Sequence, residues 1–454
     1  MTEKEYEIKE GPFEPNWDSL REFECPEWFK NAKFGIWSHW GPQSVPMYGD
    51  WYARHMYIEG HDQYRYHWRK YGHPSEFGYK DIVKKWKAEN FNPDFLMDLF
   101  VEAGAQYFVA QAVHHDNFDN WDSKHNEWNS VNMGPRKNIV KMWQEAAENK
   151  NLPFGLSEHL AATYKWFAVN KGADENGPYA GIPYDGNDPE YEDFYLPNQG
   201  EELEGWYTDN SWWHRHWVKR MKDLIDQHQP DLLYSDGGVP FYFSDEYERG
   251  VKVKCESPGL NIIAHLYNTS AEVNGTNMAV YNQKDTDPDV YQVGVQDIER
   301  GIQADIMPHP WQTDTSVGDW YYNVRDVYKK PKQVLAMLVD IVSKNGNLLL
   351  NVPQRPDGTL DEECTYLLEE MADWMKINGE GIFSTRPWKQ ASEGPTGREG
   401  GAFNEDALEW TEADFRFTAK GDKLYAFQMK WSEDDNQVLI KSLGKNNNPA
   451  VKEV

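Results

Sequence analysis

Short apolar runs alternate with helical patterns along most of the chain. Apolar residues recur with the period of a helix at 93–103, 139–149, 213–227 and 331–342. Each of these segments leads into a short apolar run, at 107–113, 152–157, 231–235 and 346–352 respectively. Similar runs at 33–37, 261–267 and 278–281 predict three further strands. Buried strands that alternate with helices are typical of a parallel sheet.

Seven such strands approach the number in an eight-stranded barrel, and we expect the missing strand near 305–311. A helix at 361–377 would close the barrel. The pattern then changes to alternating segments at 381–388, 414–420 and 423–431, typical of antiparallel strands. We therefore predict an α/β fold in which residues 1–377 form a (β/α)8 TIM-like barrel with an N-terminal arm. Residues 378–454 are predicted to form a C-terminal antiparallel β-sandwich, whose completeness the sequence leaves open.

The composition excludes several classes of function. The 454 residues carry a formal net charge of −29, which argues against nucleic-acid binding because phosphate contacts need clustered Lys and Arg. No apolar run reaches transmembrane length, and the charged N-terminus lacks the apolar segment of a signal peptide. The three cysteines, Cys25, Cys255 and Cys364, lie far apart, so neither a disulfide framework nor a zinc ribbon is predicted. We expect no membrane segment, and the oligomeric state and compartment stay open.

The segment 172–205 is long, acidic and rich in Gly and Pro. It contains Asp174-Glu175-Asn176-Gly177, which partly matches a calcium-binding loop but lacks its spacing and closing Glu. A solvated lid or specificity loop is the favoured interpretation. No metal and no cofactor are predicted for the chain.

Titratable residues follow the ends of four predicted strands. His39 follows the strand at 33–37, His114 and His115 follow 107–113, and Asp236 follows 231–235. Glu158 and His159 follow 152–157 in the same way. Active sites of such barrels lie at the C-terminal ends of the strands. Asp236 by itself is equally typical of an Asp-Gly turn, but the recurrence favours a nucleophile or base.

Two chemistries fit histidines combined with carboxylates. The first is a metal site built from His39, His114 and a carboxylate. Continued strand geometry would point His114 and His115 to opposite sides, which weakens joint ligation. The second is a carbohydrate site, in which histidines bind hydroxyls, and Trp40, Trp51 and Trp320 provide apolar walls in a chain with 15% aromatic residues.

Retaining glycoside cleavage also needs a second carboxylate, as the general acid. Glu299 in the segment 296–301 is the candidate, and Asp297 competes with it. The alternative for Glu299 is a loop salt bridge with Arg300. Asn351, at the end of the strand 346–352, is either a support for the site or only a strand terminator, and the second interpretation is favoured.

Five motifs together resemble the α-L-fucosidases of glycoside hydrolase family twenty-nine. They are KFGIWSHWGPQSVPMYGDWYARHMY (33–57), AGAQYFVAQAVHHDNFDNWDS (103–123), PDLLYSDGG (230–238), WQTDTSVGDWYY (311–322) and VSKNGNLLLNVPQRPDG (342–358). The resemblance covers about residues 27 to 390. It implies a barrel followed by a β-sandwich and a retaining double displacement.

The resemblance also implies roles for individual residues. Asp236 takes the place of the nucleophile, and Glu299 matches the acid/base through the Arg-Gly that follows it. The implied sugar-binding residues are the three histidines His39, His114 and His115, the pair Asp50 and Trp51, Tyr234 in place of the family's Trp, and Trp320 against the methyl group at C5 of the sugar.

The chain departs from the family pattern at three places. Asn117 stands where the family usually has Gly in its His-His-Asp-Gly-Phe motif. The third-strand tyrosine is replaced, which leaves Glu158, His159 and Tyr164 as candidate pocket residues. The family's arginine ahead of the acid has no clear counterpart in 281–289. These departures leave the choice between L-fucose and L-galactose open.

The leading hypothesis is an exo-acting retaining α-L-fucosidase that acts on fucosylated, or L-galactosylated, glycans. The alternatives are the same mechanism on α-L-galactosides, a catalytically silent fucose-binding protein on the same barrel, and a metal-dependent hydrolase. The family resemblance further implies a secreted or periplasmic bacterial protein.

Overall fold

Eight parallel strands close into a barrel in the computed structural model of the chain, which describes residues 6–197, 205–242, 246–248, 251–253, 257–397, 399–406, 408–431 and 437–444. The strands, in chain order, are β1 (Phe34–Ser38), β2 (Tyr107–Val113), β3 (Phe154–Glu158), β4 (Leu232–Ser235), β5 (Val280–Gln283), β6 (Val295–Asp297), β7 (Trp311–Ser316) and β8 (Gly346–Asn351). Each strand pairs with its neighbours in the sequence, and β8 pairs with β1. Every residue of these strands is buried, as expected where a barrel filled with side chains is enclosed by helices.

Helices connect most of the strands and cover the barrel. The longer helices are Asp62–Tyr71, Pro93–Glu102, Ile139–Asn149, Ser211–His228, Pro258–Asn274, Pro331–Ser343 and Glu362–Asn378. The shorter ones are Trp17–Leu20, Glu27–Ala32, Tyr52–His55, Tyr79–Lys85, Thr163–Trp166, Glu192–Tyr195 and Pro288–Tyr291. Side chains of Asn92, Asn138 and Asn210 accept hydrogen bonds from the first-turn amides of the helices that follow them. These caps fix where the helices begin.

The predicted strand at 261–267 is wrong, because this segment lies inside the helix Pro258–Asn274. Ser257 caps that helix, Pro258 occupies its first turn and Gly275 ends it with φ of +78°. The segment has no solvent-exposed face, because the N-terminal arm covers its outer side. Asn268, for example, donates to the carbonyls of Lys9 and Phe13. A helix buried on all sides has the apolar run expected of a strand.

The position predicted for the eighth strand, near 305–311, is also wrong. Strand β7 begins only at Trp311, and a further strand, β6, spans Val295–Asp297. Strand β6 has only three residues, and β7 contains Gln312, Asp314 and Ser316 among its buried positions. Because β6 is so short and β7 contains several buried polar residues, neither strand forms the apolar run on which the prediction relied.

The C-terminal region forms a separate antiparallel sheet of β9 (Arg386–Glu393), β10 (Phe415–Lys420) and β11 (Lys423–Gln428) among the described residues. The barrel and this sheet confirm the predicted fold class. Arg416 of β10 joins the two parts by an ion pair with Asp340 of the helix Pro331–Ser343. The division at 377/378 stays a prediction, and residues 445–454 lie outside the described part of the chain.

The loop 172–205 is described except for residues 198–204. The Asp174 carboxylate accepts hydrogen bonds from the hydroxyls of Tyr64 and Tyr184 and lies 3.0 Å from His73 Nε2. These contacts give Asp174 a packing role in the partial calcium motif. Cys25 and Cys364 are free thiols, and Cys255 lies outside the described residues. Among the helices described, none has both the length and the apolar content needed to span a bilayer.

Candidate active site

A cavity of about 630 Å³ opens at the C-terminal ends of the barrel strands. Its walls combine carboxylates, imidazoles, one lysine and aromatic rings. The lining residues are Trp37, His39, Asp50, Trp51, His55, His114, His159, Trp206, Tyr234, Asp236, Gly237, Lys284, Glu299, Asp314, Trp320 and Phe403. Nine of the residues singled out from the sequence as catalytic, sugar-binding or pocket residues are among them.

Asp236 lies directly after β4, where its backbone N–H donates to the carbonyl of Glu158. Its two carboxylate oxygens have different partners. Oδ1 accepts from Lys284 Nζ at 2.7 Å, and Oδ2 lies 3.1 Å from both His115 Nε2 and His159 Nδ1. Burial raises the pKa of Asp236, but the Lys284 ammonium and the two imidazoles outweigh it and hold the pKa well below its ordinary value. Asp236 is therefore an anion held in a fixed orientation.

Glu299 lies two residues beyond the end of β6 and shares Lys284 with Asp236. Lys284 Nζ donates to Glu299 Oε2 at 2.6 Å, so the alternative interpretation of Glu299, a salt bridge with Arg300, is wrong. Arg300 instead pairs with Glu405 at 2.9 Å. The sum of the 2.7 and 2.6 Å contacts limits the separation of the two bound carboxylate oxygens to about 5.3 Å, which fits the spacing of retaining glycosidases.

The environments of Asp236 and Glu299 push their pKa values apart. Burial raises the pKa of Glu299. The Lys284 ammonium lowers it and the charges of Asp314 and Asp236 raise it, and the pKa lies above its ordinary value. The competing residue Asp297 points into the barrel, where its Oδ1 accepts from Gln312, and it is absent from the cavity wall. Burial and Asp314 raise the pKa of Asp297 well above its usual range. A carboxyl of lowered pKa and a carboxyl of raised pKa that face one cavity are the pair that glycoside cleavage requires.

Three buried histidines present unused hydrogen-bonding atoms to the cavity. Both ring nitrogens of His39 and Nε2 of His159 have no hydrogen-bond partner. Gln43 Nε2 donates to His114 Nδ1, which leaves the other nitrogen of that ring for a ligand. Burial, helped by neighbouring imidazoles, lowers the pKa of His39 and His114, and burial lowers that of His159 to about 4. Neutral imidazoles of this kind can donate to and accept from sugar hydroxyls.

The expectation that His114 and His115 point to opposite sides is wrong. Strand β2 ends at Val113, so strand alternation stops before them, and their rings lie 4.6 Å apart. Within the described part of the chain, two groups of side chains have the proximity of metal ligands: His114 with His115 and His159, and His39 with Asp50 and His114. In the first group, His115 already uses Nδ1 on the His159 carbonyl and Nε2 on Asp236. This geometry fits hydroxyl binding better than ligation.

Aromatic rings form the apolar walls. Trp320 packs edge-on against Trp37 with ring centroids 5.4 Å apart, and the Arg300 guanidinium covers its ring. Trp51 stacks on Trp206 at 6.3 Å. Tyr234 lies at the cavity floor, where its hydroxyl donates to Asp314 Oδ2 at 2.8 Å. A polar ring of imidazoles with apolar aromatic walls matches the two kinds of surface on a sugar.

Apart from His115, which contacts Asp236 but does not line the cavity, three candidate residues lie outside it. Trp40 turns away from its neighbour His39 and packs on Trp86 and Phe91, with its indole N–H donating to the Arg355 carbonyl. Tyr164 is buried against Trp213. Their placement as sugar-binding residues is corrected accordingly, because residues beyond a strand end no longer alternate with the strand.

Glu158, the third, is buried beneath the site at the end of β3. Its carboxylate accepts from the Leu160 amide, the Trp217 indole and the Ser235 hydroxyl. The bond to Ser235 ties β3 to the residue that precedes Asp236. Glu158 is therefore a support for the nucleophile strand and not a pocket residue, whereas its neighbour His159 reaches the cavity.

Asn351 supports the site, contrary to the favoured interpretation as a strand terminator. Its Oδ1 accepts from the His39 amide, and its Nδ2 donates to Ser316 Oγ and to the Trp320 carbonyl. Asp50 does line the cavity, and its Oδ1 has no hydrogen-bond partner. Burial and the neighbouring Asp319 raise the pKa of Asp50 well above its ordinary range.

Sequence reasoning missed Lys284, Asp314 and Phe403. Lys284 was detectable, because it follows the end of β5, and the predicted strand stopped two residues too early at 281. It supplies a cation from the segment in which the family's arginine had no clear counterpart. Asp314 lies within β7, and Phe403 belongs to the region beyond the barrel, so no local signal marks either of them.

A parallel barrel with paired carboxylates, hydroxyl-binding imidazoles and aromatic walls at its strand ends defines a carbohydrate-cleaving hydrolase. A sequence model of the family described as "Alpha-L-fucosidase" matches residues 1–380. The chain belongs to this family, glycoside hydrolase family twenty-nine, and is an α-L-fucosidase by that membership.

Known members of the family are similar over most of their length. Tissue alpha-L-fucosidase of Bos taurus is 28% identical over 430 residues, covering 93% of this chain and 78% of its own. Plasma alpha-L-fucosidase of Homo sapiens is 29% identical over 394 residues, covering 84% and 74%. The crystal structure of Thermotoga maritima alpha-fucosidase in complex with fucose superposes with a TM-score of 0.68 at 25% identity, covering 91% of this chain and 85% of that one.

Proposed function

We propose that the chain removes terminal α-L-fucosyl residues from glycans by a retaining double displacement, with Asp236 as nucleophile and Glu299 as acid/base. The observation that carries this proposal is the bridge of Lys284 between the two carboxylates. The two carboxylate oxygens that Lys284 binds are therefore at most about 5.3 Å apart, whereas the carboxyl groups of an inverting enzyme are roughly 6.5–9.5 Å apart to admit a water.

In the first step, Asp236 Oδ attacks C1 of the fucosyl group while Glu299 gives its proton to the leaving glycosidic oxygen. His115, His159 and Lys284 hold Asp236 ionised for this attack. The raised pKa of Glu299 keeps it protonated until the oxygen arrives. Neither role needs a group from outside the chain.

In the second step, Glu299 takes a proton from water, which attacks C1 and releases Asp236. Once Asp236 is bound to the sugar as an ester, it is no longer an anion. One of the charges that raise the pKa of Glu299 is thereby lost, and the pKa falls. Glu299, the general acid of the first step, can therefore act as the general base of the second step.

The fucose-bound Thermotoga maritima relative supports L-fucose as the sugar. The orphan atoms of His39, His159 and Asp50 supply partners for its ring hydroxyls. Whether L-galactose is also accepted depends on the wall around Trp320, because L-galactose has a hydroxyl at C6 in place of one hydrogen of the fucose methyl group. We propose L-fucose as the preferred sugar, with the galactoside as the comparison in the test.

The experiment compares 4-nitrophenyl α-L-fucoside and α-L-galactoside with the wild type, Asp236→Asn and Glu299→Ala. We expect Asp236→Asn to lose more than about a thousandfold in kcat on the fucoside. Glu299→Ala should retain far more activity on this good leaving group than on a fucosyl disaccharide, and azide should restore turnover as a fucosyl azide of retained configuration.

Each alternative has its own outcome. Full activity of folded Asp236→Asn would refute the nucleophile. Tight fucose binding by the wild type without turnover of either aryl glycoside would favour a silent binding protein. Activity lost on chelation and restored by a stoichiometric metal would favour the histidine groups as ligands. A faster reaction with the galactoside would keep the mechanism and change the sugar.

We also propose a secreted or periplasmic bacterial location. The relative named as a plasma enzyme supports secretion within the family. Fractionation of the native host with an antibody against this chain tests it, and recovery only with cytosolic markers would contradict it.

A further inference from the structure

A loop from the region beyond the barrel reaches the active-site mouth beside Glu299. Phe403 lines the cavity, and its backbone N–H donates to the carbonyl of Glu299 at 2.9 Å. The next residue, Asn404, donates in the same way to the carbonyl of Arg300 at 3.0 Å. The proposed acid/base and the Phe403 ring are therefore carried by two segments that are hydrogen-bonded to each other.

The loop is held firmly on both sides of Phe403. Before it, Gly401 and Ile302 exchange two backbone hydrogen bonds of 2.9 and 3.2 Å. After it, Glu405 pairs with Arg300 and Lys329, each at 2.9 Å, and accepts from the Thr315 hydroxyl. The ring thus has a fixed position relative to Glu299.

Packing within the chain does not account for the position of the Phe403 ring. The residue is 69% exposed although it is aromatic, and its φ is +53°, a region that costs free energy for a side chain of this size. The neighbouring Arg300 also has a positive φ, of +44°. Residues held in such sparsely populated backbone conformations cluster at active sites and ligand-binding sites.

The position of Phe403 beside Glu299 indicates which part of the substrate it contacts. Glu299 gives its proton to the oxygen between fucose and the next sugar, so that sugar lies on the Glu299 side of the cavity. Trp206, another aromatic residue of the cavity wall, lies beside the nucleophile, where its indole N–H is 3.4 Å from the Asp236 carbonyl. Phe403 therefore faces the leaving group, and Trp206 faces the side of the nucleophile.

We propose that Phe403 forms the binding subsite for the leaving sugar, by stacking on the C–H face of the pyranose to which fucose is linked. The proposal rests on the assignment of Glu299 as acid/base. An aromatic side chain suits a pyranose because the sugar presents C–H groups on one of its faces, and these pack against the apolar aromatic ring. The C-terminal region thereby takes part in choosing the substrate.

The test compares two substrates in one preparation: α-L-fucosyl fluoride, whose leaving group has no ring, and the fucosyl disaccharide that the wild type cleaves fastest among those linked to galactose or N-acetylglucosamine. For Phe403→Ala we expect the ratio of kcat/KM, disaccharide to fluoride, to fall by about 3- to 10-fold, mainly through KM. Phe403→Trp should keep the ratio. This ratio does not depend on the fraction of folded enzyme.

Tyr366→Ala is the matched control, since Tyr366 is another exposed aromatic residue, on the helix Glu362–Asn378 away from the cavity. It should leave the ratio unchanged. Equal losses of Phe403→Ala on both substrates, or an unchanged ratio, would overturn the proposal, as would a wild type that cleaves the fluoride but no disaccharide. A wild type that cleaves neither would instead refute the proposed function.

Discussion

At the scale of single residues, Lys284 controls the charge of both proposed catalytic groups. Its ammonium contacts Asp236 and Glu299 and lies 3.8 Å from Asp314 Oδ2. Burial lowers the pKa of Lys284, but the surrounding carboxylates raise it well above its ordinary value. One permanent cation among several acids allows one carboxyl to stay ionised while another stays protonated.

Replacing Lys284 with Met should therefore move the whole pH profile upward. Loss of the cation removes a factor that lowers the pKa of both Asp236 and Glu299, so both pKa values rise. We expect the acid and the alkaline limbs of kcat/KM to shift to higher pH, with a loss of about 10- to 100-fold at the optimum. Steady-state kinetics with the aryl fucoside across the pH range measures this.

Lys284→Arg is the charge-conserving control and should keep both limbs near their wild-type positions. A Lys284→Met profile that falls in height without moving along the pH axis would show that Lys284 acts only on geometry. A downward shift would contradict the charge argument altogether.

At the scale of elements, the turn after β2 explains one departure from the family pattern. Asn117 stands in place of the usual Gly, and its φ of +62° is left-handed. Asn tolerates this conformation better than most residues do. Its side chain donates to the Phe194 carbonyl and accepts from Arg220 of the helix Ser211–His228. The turn that carries His114 and His115 is thus anchored to a helix.

Substituting Asn117 by Ala and by Gly separates the backbone from the side chain. Both variants lose the two hydrogen bonds, but only Ala keeps the strain of a left-handed backbone. We expect Asn117→Ala to lower the free energy of unfolding by about 1 kcal/mol more than Asn117→Gly. Denaturant unfolding measures the difference, and equal stability of the two variants would show that backbone conformation is not decisive here.

At the scale of the whole molecule, a buried ion cluster joins the barrel to the C-terminal sheet. Asp340 pairs with Lys344 at 2.7 Å and with Arg416 of β10, and all three side chains are at most 6% exposed. The Arg416 guanidinium also lies 4.7 Å from the Trp410 ring. Charges buried this deeply depend on their partners.

Asp340→Ala should destabilise the protein strongly, because Arg416 and Lys344 would then share no buried anion. We expect a loss of about 3–5 kcal/mol in unfolding free energy, seen as a lower midpoint in thermal or denaturant unfolding. Asp373→Ala removes an exposed pair with Lys376 and should change the midpoint little. Similar midpoints for the two variants would contradict a structural role for the buried cluster.

The sequence by itself predicted the barrel, because its strands are apolar runs with capped helices between them. It also predicted Asp236 and the histidines, because an active site of this fold follows strand ends. Elements that lack such a pattern were not predicted correctly from the sequence. The helix Pro258–Asn274 resembled a strand because its residues 258–269 are buried on every side, and β6 is only three residues long.

Tertiary structure alone decided which of the predicted site residues meet. Sequence order indicates which strand a residue follows, but the direction of a side chain beyond a strand end depends on contacts with distant segments. Such contacts turned Trp40 away from the cavity and brought His114 beside His115. They also placed Lys284 between two carboxylates and Phe403 beside Glu299. The sequence thus determined the fold class and the chemical groups available, and packing between remote residues determined their arrangement.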